Sequence, residues 1–174
     1  MKLIEALKGL KELKRKASDL RDKISRHSAY KSTETAVYGS KEEQTKQVKE
    51  WLQAHSDIIK EIERLTLSVH ATNLATMVTI TIGGNDVTKS ISAWIIRRTE
   101  LSGYDFQAWS GLTDRRIVEG YETNSAGEKT QVSIVRCYDP KERDNKLALY
   151  NEEPSLINSK MEVINAITDL VEAK

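Results

Sequence analysis

Cysteine is all but missing from this chain of 174 residues: Cys137 stands alone. A single cysteine excludes an intramolecular disulfide framework and makes a reducing compartment the default. Proline occurs twice, phenylalanine once, and aromatics make up only 6% of the residues. So little proline and so few aromatics suit extended helices better than a compact β-sandwich. An excess of one charge is lacking too, because 27 Lys and Arg face 26 Asp and Glu. No global field therefore draws the chain to nucleic acid or to an anionic membrane. Long apolar runs are absent: none approaches the roughly 18–20 residues of a membrane span. The opening "MKLIEALKGLKELKRK" has no uninterrupted apolar stretch of the kind a secretory signal carries. A cytoplasmic protein with no membrane partner is expected.

What is present is helical periodicity. Leu3, Leu7, Leu10, Leu13, Ala17, Leu20 and Ile24 recur at steps of three and four, predicting a helix over about 2–28. "SAYKSTETAVYGSKEE" loses the period and reads as a loop, with Ser40 as N-cap and Glu43 completing a capping box. Val48, Trp51, His55, Ile58, Ile62, Leu65, Val69, Thr72 and Thr76 then form a heptad seam that Leu52 and Ile59 widen on one side. A helix over 41–76 is about 50 Å long at 1.5 Å per residue. That length demands a partner helix, from its own chain or another.

"MVTITIGGND" switches to period two, predicting a strand over 77–82 and a turn at Gly83-Gly84-Asn85-Asp86. Thr88 reads as the N-cap of a helix over about 89–110, although Gly103 weakens its continuation. "RRIVEGYETNSAGEKTQVSIVRCYD" reads as a β-hairpin with strands over about 116–122 and 130–138, its turn near Asn124–Gly127 and Cys137 within the second strand. A last helix over 141–172 keeps heptad spacing through Leu147, Tyr150, Pro154, Ile157, Met161, Ile164, Thr168 and Val171. Pro154 predicts a kink or a fresh helix start, since it cannot donate its backbone hydrogen bond.

Charge is uneven along the chain. Residues 2–26 are rich in lysine and arginine, and the segment from Asp139 onward leans acidic. Two amphipathic helices with solvated faces, packed side by side, account for this. The competing reading is a nucleic-acid surface on the first helix through Lys11, Lys14, Arg15 and Lys16.

Motifs that carry chemistry are scarce. "IGGNDVTKS" lacks the spacing of a phosphate-binding loop, and His27, His55 and His70 form no HExxH or i, i+4 pair. No serine sits in a G-x-S-x-G elbow. Glu42-Glu43 and Glu152-Glu153 read as solvated neighbours. No catalytic residue, metal ligand or cofactor is expected, and a non-enzymatic protein follows. Between 94 and 116, Trp94, Arg97, Arg98, Tyr104, Trp109, Arg115 and Arg116 bring guanidinium forks and aromatic faces into one stretch. Such groups bind nucleotides when they converge. The alternative makes the tryptophans core anchors and leaves the arginines on the surface or in ion pairs.

"MKLIEAL", the Ser/Thr-rich loop between two long helices, "ATNLAT", "VTKSISAWIIRR" and "INAITDL" resemble, in this order along nearly the whole chain, the septicolysin-like family of small bacterial and phage helical-hairpin proteins. "MVTITIGG" and "VRCYDPKERD" are similar to its phage-type members. The resemblance implies a helical hairpin, homo-oligomeric assembly and a bacterial or phage-infected host cell, and it supplies no catalytic residue. The family's Asn-x-x-Thr region matches Asn73 and Thr76, beside Thr72, and its C-terminal counterpart matches Asn165 and Thr168. These side chains form a polar layer that fixes register, line a small pocket, or simply close two helix ends.

The expected fold is α+β and mainly α: one domain over 1–174, a long antiparallel helical hairpin with short β elements and a C-terminal helix. A symmetric homo-oligomer is expected to meet along Val48, Trp51, His55, Ile58, Ile62, Leu65 and Val69. The leading functional expectation is an oligomeric structural or assembly protein, phage-encoded. The alternative is a sponge that sequesters a small nucleotide-like ligand at subunit interfaces, against host defence, through Thr72, Asn73, Thr76, Trp94, Arg97, Arg98, Tyr104, Asn165 and Thr168. Nucleic-acid binding by the basic first helix ranks third.

Overall fold

The computed structural model describes residues 1–172 of the chain. They are mainly helical, with two small antiparallel sheets of two strands each. Helix α1 spans Leu3–His27 and helix α2 spans Lys41–Ala75. Ser40 caps α2 as its sequence predicts, its hydroxyl accepting from the Glu43 N–H at 3.1 Å. No described helix is long and apolar enough to cross a membrane.

The single domain expected over 1–174 resolves into two compact units, one made of Met1–Thr76 with the chain from Glu162 onward, the other of Met77–Met161. No glycine- or proline-rich linker announces the first boundary, because α2 gives way directly to a strand at Met77.

In the first unit α1 and α2 form an antiparallel hairpin, with Gly9 beside Leu65 near one end and His27 bonded to Gln44 near the other. Leu3, Ala6, Leu10 and Ala17 of α1 and Leu65 and Val69 of α2 are buried. The partner that α2 requires is therefore its own chain. The C-terminal segment closes the open end: the Leu3 N–H donates to the Thr168 carbonyl and the Leu170 N–H to the Met1 carbonyl, each at 2.9 Å.

The second unit starts with a hairpin. Strand β1, Met77–Ile82, pairs with β2, Asn85–Ser90, from Met77 opposite Ser90 to Ile82 opposite Asn85. Here the structure corrects the sequence reading, which placed Thr88 at a helix start. Gly83 and Gly84 take φ of +57° and +80°. Two consecutive positive-φ residues make the tight turn whose twist matches paired strands, so the chain folds back at once. The Thr88 hydroxyl meets that of Thr79 across the strands at 2.7 Å. Ser90 is the N-cap instead, accepting from the Ala93 N–H at 3.2 Å. Helix α3, Ile91–Ile96, passes through a π-helical turn, Arg97–Leu101, into α4, Ser102–Ser110.

The second hairpin is shorter than its sequence predicts. Strand β3 is Gly120–Thr123 and β4 is Lys129–Val132, turning at Asn124–Gly127 as expected. Pairing stops at Gly120 opposite Val132. Beyond it side-chain carboxylates replace the ladder, Glu119 accepting from the Ile134 N–H at 3.3 Å and Asp114 from Arg136 at 2.7 Å. Cys137 consequently lies outside the strand and is exposed.

Helix α5 spans Pro140–Ile167, ending before the predicted residue 172 because Thr168 onward turns to bond with the chain's N-terminus. Pro154 lies inside α5 and starts no new helix. Trp94, Ile91, Val78, Ile80, Ile157 and Met161 are the buried apolar residues of this unit. The Trp94 indole N–H donates to the Val78 carbonyl at 2.9 Å, which pins α3 to β1.

Candidate functional site

The π-helical turn sets the geometry of the second unit's charged centre. Its widened hydrogen bond runs from the Ser102 N–H to the Arg97 carbonyl, bringing residues five apart onto one side. Both then reach Glu153 of α5. Arg97 donates through Nε and Nη2 to the two carboxylate oxygens of Glu153, each at 2.8 Å, and the Ser102 hydroxyl donates to the same carboxylate at 2.8 Å. Arg97 Nη1 donates to Asp105 at 2.6 Å, and the guanidinium lies 5.5 Å from the Tyr150 ring centre. The bond to Glu153, reinforced by Asp105, raises the guanidinium's pKa above its ordinary value against the opposing effect of burial.

Glu153 is only 3% exposed, which corrects the reading of Glu152-Glu153 as two solvated carboxylates. A signal was present: Tyr150, Glu153 and Ile157 follow at steps of three and four, so Glu153 shares the face of α5's own apolar seam. Asp105 and Ser102 carried no such mark.

A groove of about 460 Å³ opens beside this centre, lined among others by Trp94, Arg97, Lys89, Leu149 and Tyr150. Two of the expected ligand residues, Trp94 and Arg97, thus do converge. Their chemistry is already engaged, however. Trp94 is a buried anchor, and Arg97 spends its guanidinium fork on two carboxylates, which leaves it little donor capacity for a phosphate. Arg98 donates to Asn158 at 2.9 Å, and Tyr104 is 62% exposed with no part in the groove. Trp109 carries Lys146 over its ring at 5.9 Å, away from that groove.

Thr72 answers differently. It is fully buried, its hydroxyl donating to the Ser68 carbonyl at 2.7 Å and accepting from the Val171 N–H at 2.8 Å. The two helix ends carrying Asn73 with Thr76 and Asn165 with Thr168 thus come together within the first unit. What joins them is the Val171 N–H donating to the Thr72 hydroxyl, with the Leu3 N–H of α1 donating to the Thr168 carbonyl beside it, rather than a layer of paired Asn and Thr side chains.

The α2 seam is spent inside the hairpin. Leu65 and Val69 are buried, while Val48, His55, Ile58 and Ile62 are half-buried. Trp51 packs on His27 and Tyr38, with ring centres 5.5 and 5.6 Å apart. Trp51, Leu65 and Val69 thus pack within the chain. Another α2 face remains open. Leu52, Ile59, Leu67 and Leu74 are 51%, 46%, 51% and 66% exposed. Their steps of seven, eight and seven residues place them on one stripe, roughly a third of a turn from the buried seam.

Comparison with protein-family models, with curated proteins and with solved structures finds no match for this chain.

Proposed function

We propose that the chain is a non-enzymatic, homo-oligomeric assembly protein whose copies meet along the outer stripe of α2. The observation that carries this reading is the exposure of Leu52, Ile59, Leu67 and Leu74 on one face of a 35-residue helix. Single exposed aliphatic residues are ordinary on a protein surface, whereas four aligned on one helix face offer a row of apolar contacts to a second copy. The septicolysin-like resemblance points the same way.

Magnitudes set the strength of the assembly. Covering a half-exposed Leu or Ile contributes about 1 kcal/mol, so the eight such side chains of two copies contribute about 8 kcal/mol. Association costs about 4–15 kcal/mol in lost freedom. The balance is at most about 4 kcal/mol in favour, which makes the contact a reversible one of about millimolar strength rather than an obligate one.

Native mass spectrometry and light scattering across a dilution series test this. The expected result is a discrete oligomer that dissociates on dilution. A monomer at every concentration up to the millimolar range would remove the reading.

A further inference from the structure

At the closed end of the α1–α2 hairpin, the loop over residues 28–40 and the first turns of α2 enclose a groove of about 560 Å³. Gln44 ties the loop at two points. It is buried, its amide donating to the His27 carbonyl at 2.8 Å while its oxygen accepts from the Val37 N–H at 3.0 Å. Tyr38 packs against His27 and Trp51 with ring centres 5.4 and 5.6 Å apart. His27, Tyr30 and Val48 give the groove aromatic and apolar walls, and Lys41, Thr45 and Lys49 give it a polar one. Lys46 continues that polar wall on the adjoining surface, together with Glu42.

The lysines are unneutralised. Among the described residues, Lys41, Lys46 and Lys49 take part in no ion pair, although Lys31 and Lys60 on either side do. Nearby acids are turned elsewhere. Glu43 folds back over Gly39, Glu34 pairs with Lys31, and Glu50 accepts from Gln47. Of the acids on these turns only Glu42 lines the lysine surface, so positive charge is concentrated on this face although the segment as a whole is balanced. Like charges at this spacing repel, and a bound anion relieves the repulsion.

We propose that this groove binds a nucleotide carrying two or more phosphates, its base against Tyr30 and His27 and its phosphates along Lys41, Lys46 and Lys49. The two kinds of wall specify both parts. An inorganic anion would leave the aromatic end empty, and an apolar ligand would leave three ammonium groups unanswered. Lys41 and Lys49 stand about 12 Å apart along the helix axis, a span suited to a polyphosphate chain rather than one phosphate. The volume lies in the ordinary range of small-molecule sites, about 300–1,000 Å³. The proposal is independent of self-association, and it places nucleotide recognition in the first unit rather than at Arg97 and Arg98.

Isothermal titration of the full chain with ATP, adenosine and pyrophosphate in low salt is the test. ATP is expected to bind saturably, with adenosine and pyrophosphate each at least tenfold weaker. The double variant Lys41→Ala, Lys49→Ala is expected to lose tenfold or more in ATP affinity with its thermal melt unchanged, since both side chains are exposed. Tyr30→Ala is expected to bring ATP closer to pyrophosphate, and Arg98→Ala to leave ATP binding as it was. Absence of saturable ATP binding overturns the proposal. So does an affinity indifferent to the lysines, or pyrophosphate binding as well as ATP, which would mean a bare anion site. A single-stranded oligonucleotide binding more tightly than ATP would make the surface a nucleic-acid interface instead, and loss of binding in Arg98→Ala would move the site to the other unit.

Discussion

Glu153 is the side chain on which the second unit's polar centre turns. Removing its carboxylate leaves Arg97, 19% exposed at the side chain, with one partner rather than two. Breaking one side of a buried ion pair costs about 3–5 kcal/mol. Glu153→Ala is expected near 3 kcal/mol, because Asp105 and some solvent remain to Arg97. Urea unfolding would measure it, and a loss below about 1 kcal/mol would show the cluster to be ornamental. Asp169 gives a prediction in pH. Its bond to Lys2 at 2.9 Å holds its carboxyl below the ordinary aspartate range. A carboxylate depressed by folding adds stability at every pH above its unfolded value and loses it as acid protonates the folded form. The melting-temperature advantage of the wild type over Asp169→Asn is therefore expected at neutral pH and should vanish in strong acid. An advantage that persists there would assign the contact to something other than charge. At this scale the sequence marked Trp94 and Arg97 but not their partners, since the acids that meet a guanidinium are chosen by packing across 56 residues of chain.

Among the elements, α1 and α2 were legible nearly to the residue because their apolar period is unbroken and Ser40 caps the second. Strand β2 was not. "NDVTKS" offers one apolar residue, Val87, and a threonine that suits a helix start, so local pattern favoured the wrong element. Only the pair Gly83-Gly84 argued for a hairpin, by the positive φ that both residues need. Two glycine substitutions should separate local geometry from packing. At Gly83, with φ +57°, an added Cβ would stand 3.2 Å from Leu149 Cδ1, so Gly83→Ala is expected to destabilise by about 1 kcal/mol or more. At Gly9, inside α1, the added methyl would meet Leu65 Cδ2 at an ordinary 3.6 Å. Alanine is the better helix former by about 0.5–1 kcal/mol. Gly9→Ala is expected to stabilise by that amount, and thermal melts of the two variants should move in opposite directions. A fall for Gly9→Ala would mean that the hairpin tolerates no approach closer than glycine allows.

For the molecule as a whole, the heptad seam was read correctly as a demand for a partner helix, and the sequence could not say whose. Period alone cannot separate an intrachain hairpin from an interchain coiled coil, because both bury the same spacing. Once α1 takes the seam, self-association must use what is left. That remainder is the stripe from Leu52 to Leu74, of which Leu67 and Leu74 are the more exposed half on average. Substituting Glu at both positions puts two charges where two copies would meet and touches nothing buried, so the monomer's fold should be unaffected. In sedimentation velocity the double variant Leu67→Glu, Leu74→Glu is expected to stay monomeric at concentrations where the wild type assembles, with an unchanged far-UV circular dichroism spectrum. Ile62→Glu supplies the contrast. Ile62 is half-buried on the seam that α1 occupies, and its substitution should weaken the hairpin itself before it affects assembly. If Leu67→Glu, Leu74→Glu assembles like the wild type, the outer stripe is not the contact. If Ile62→Glu instead dissociates the oligomer while leaving the melt unchanged, the seam opens to join copies, and the hairpin pairing would have to exchange between chains.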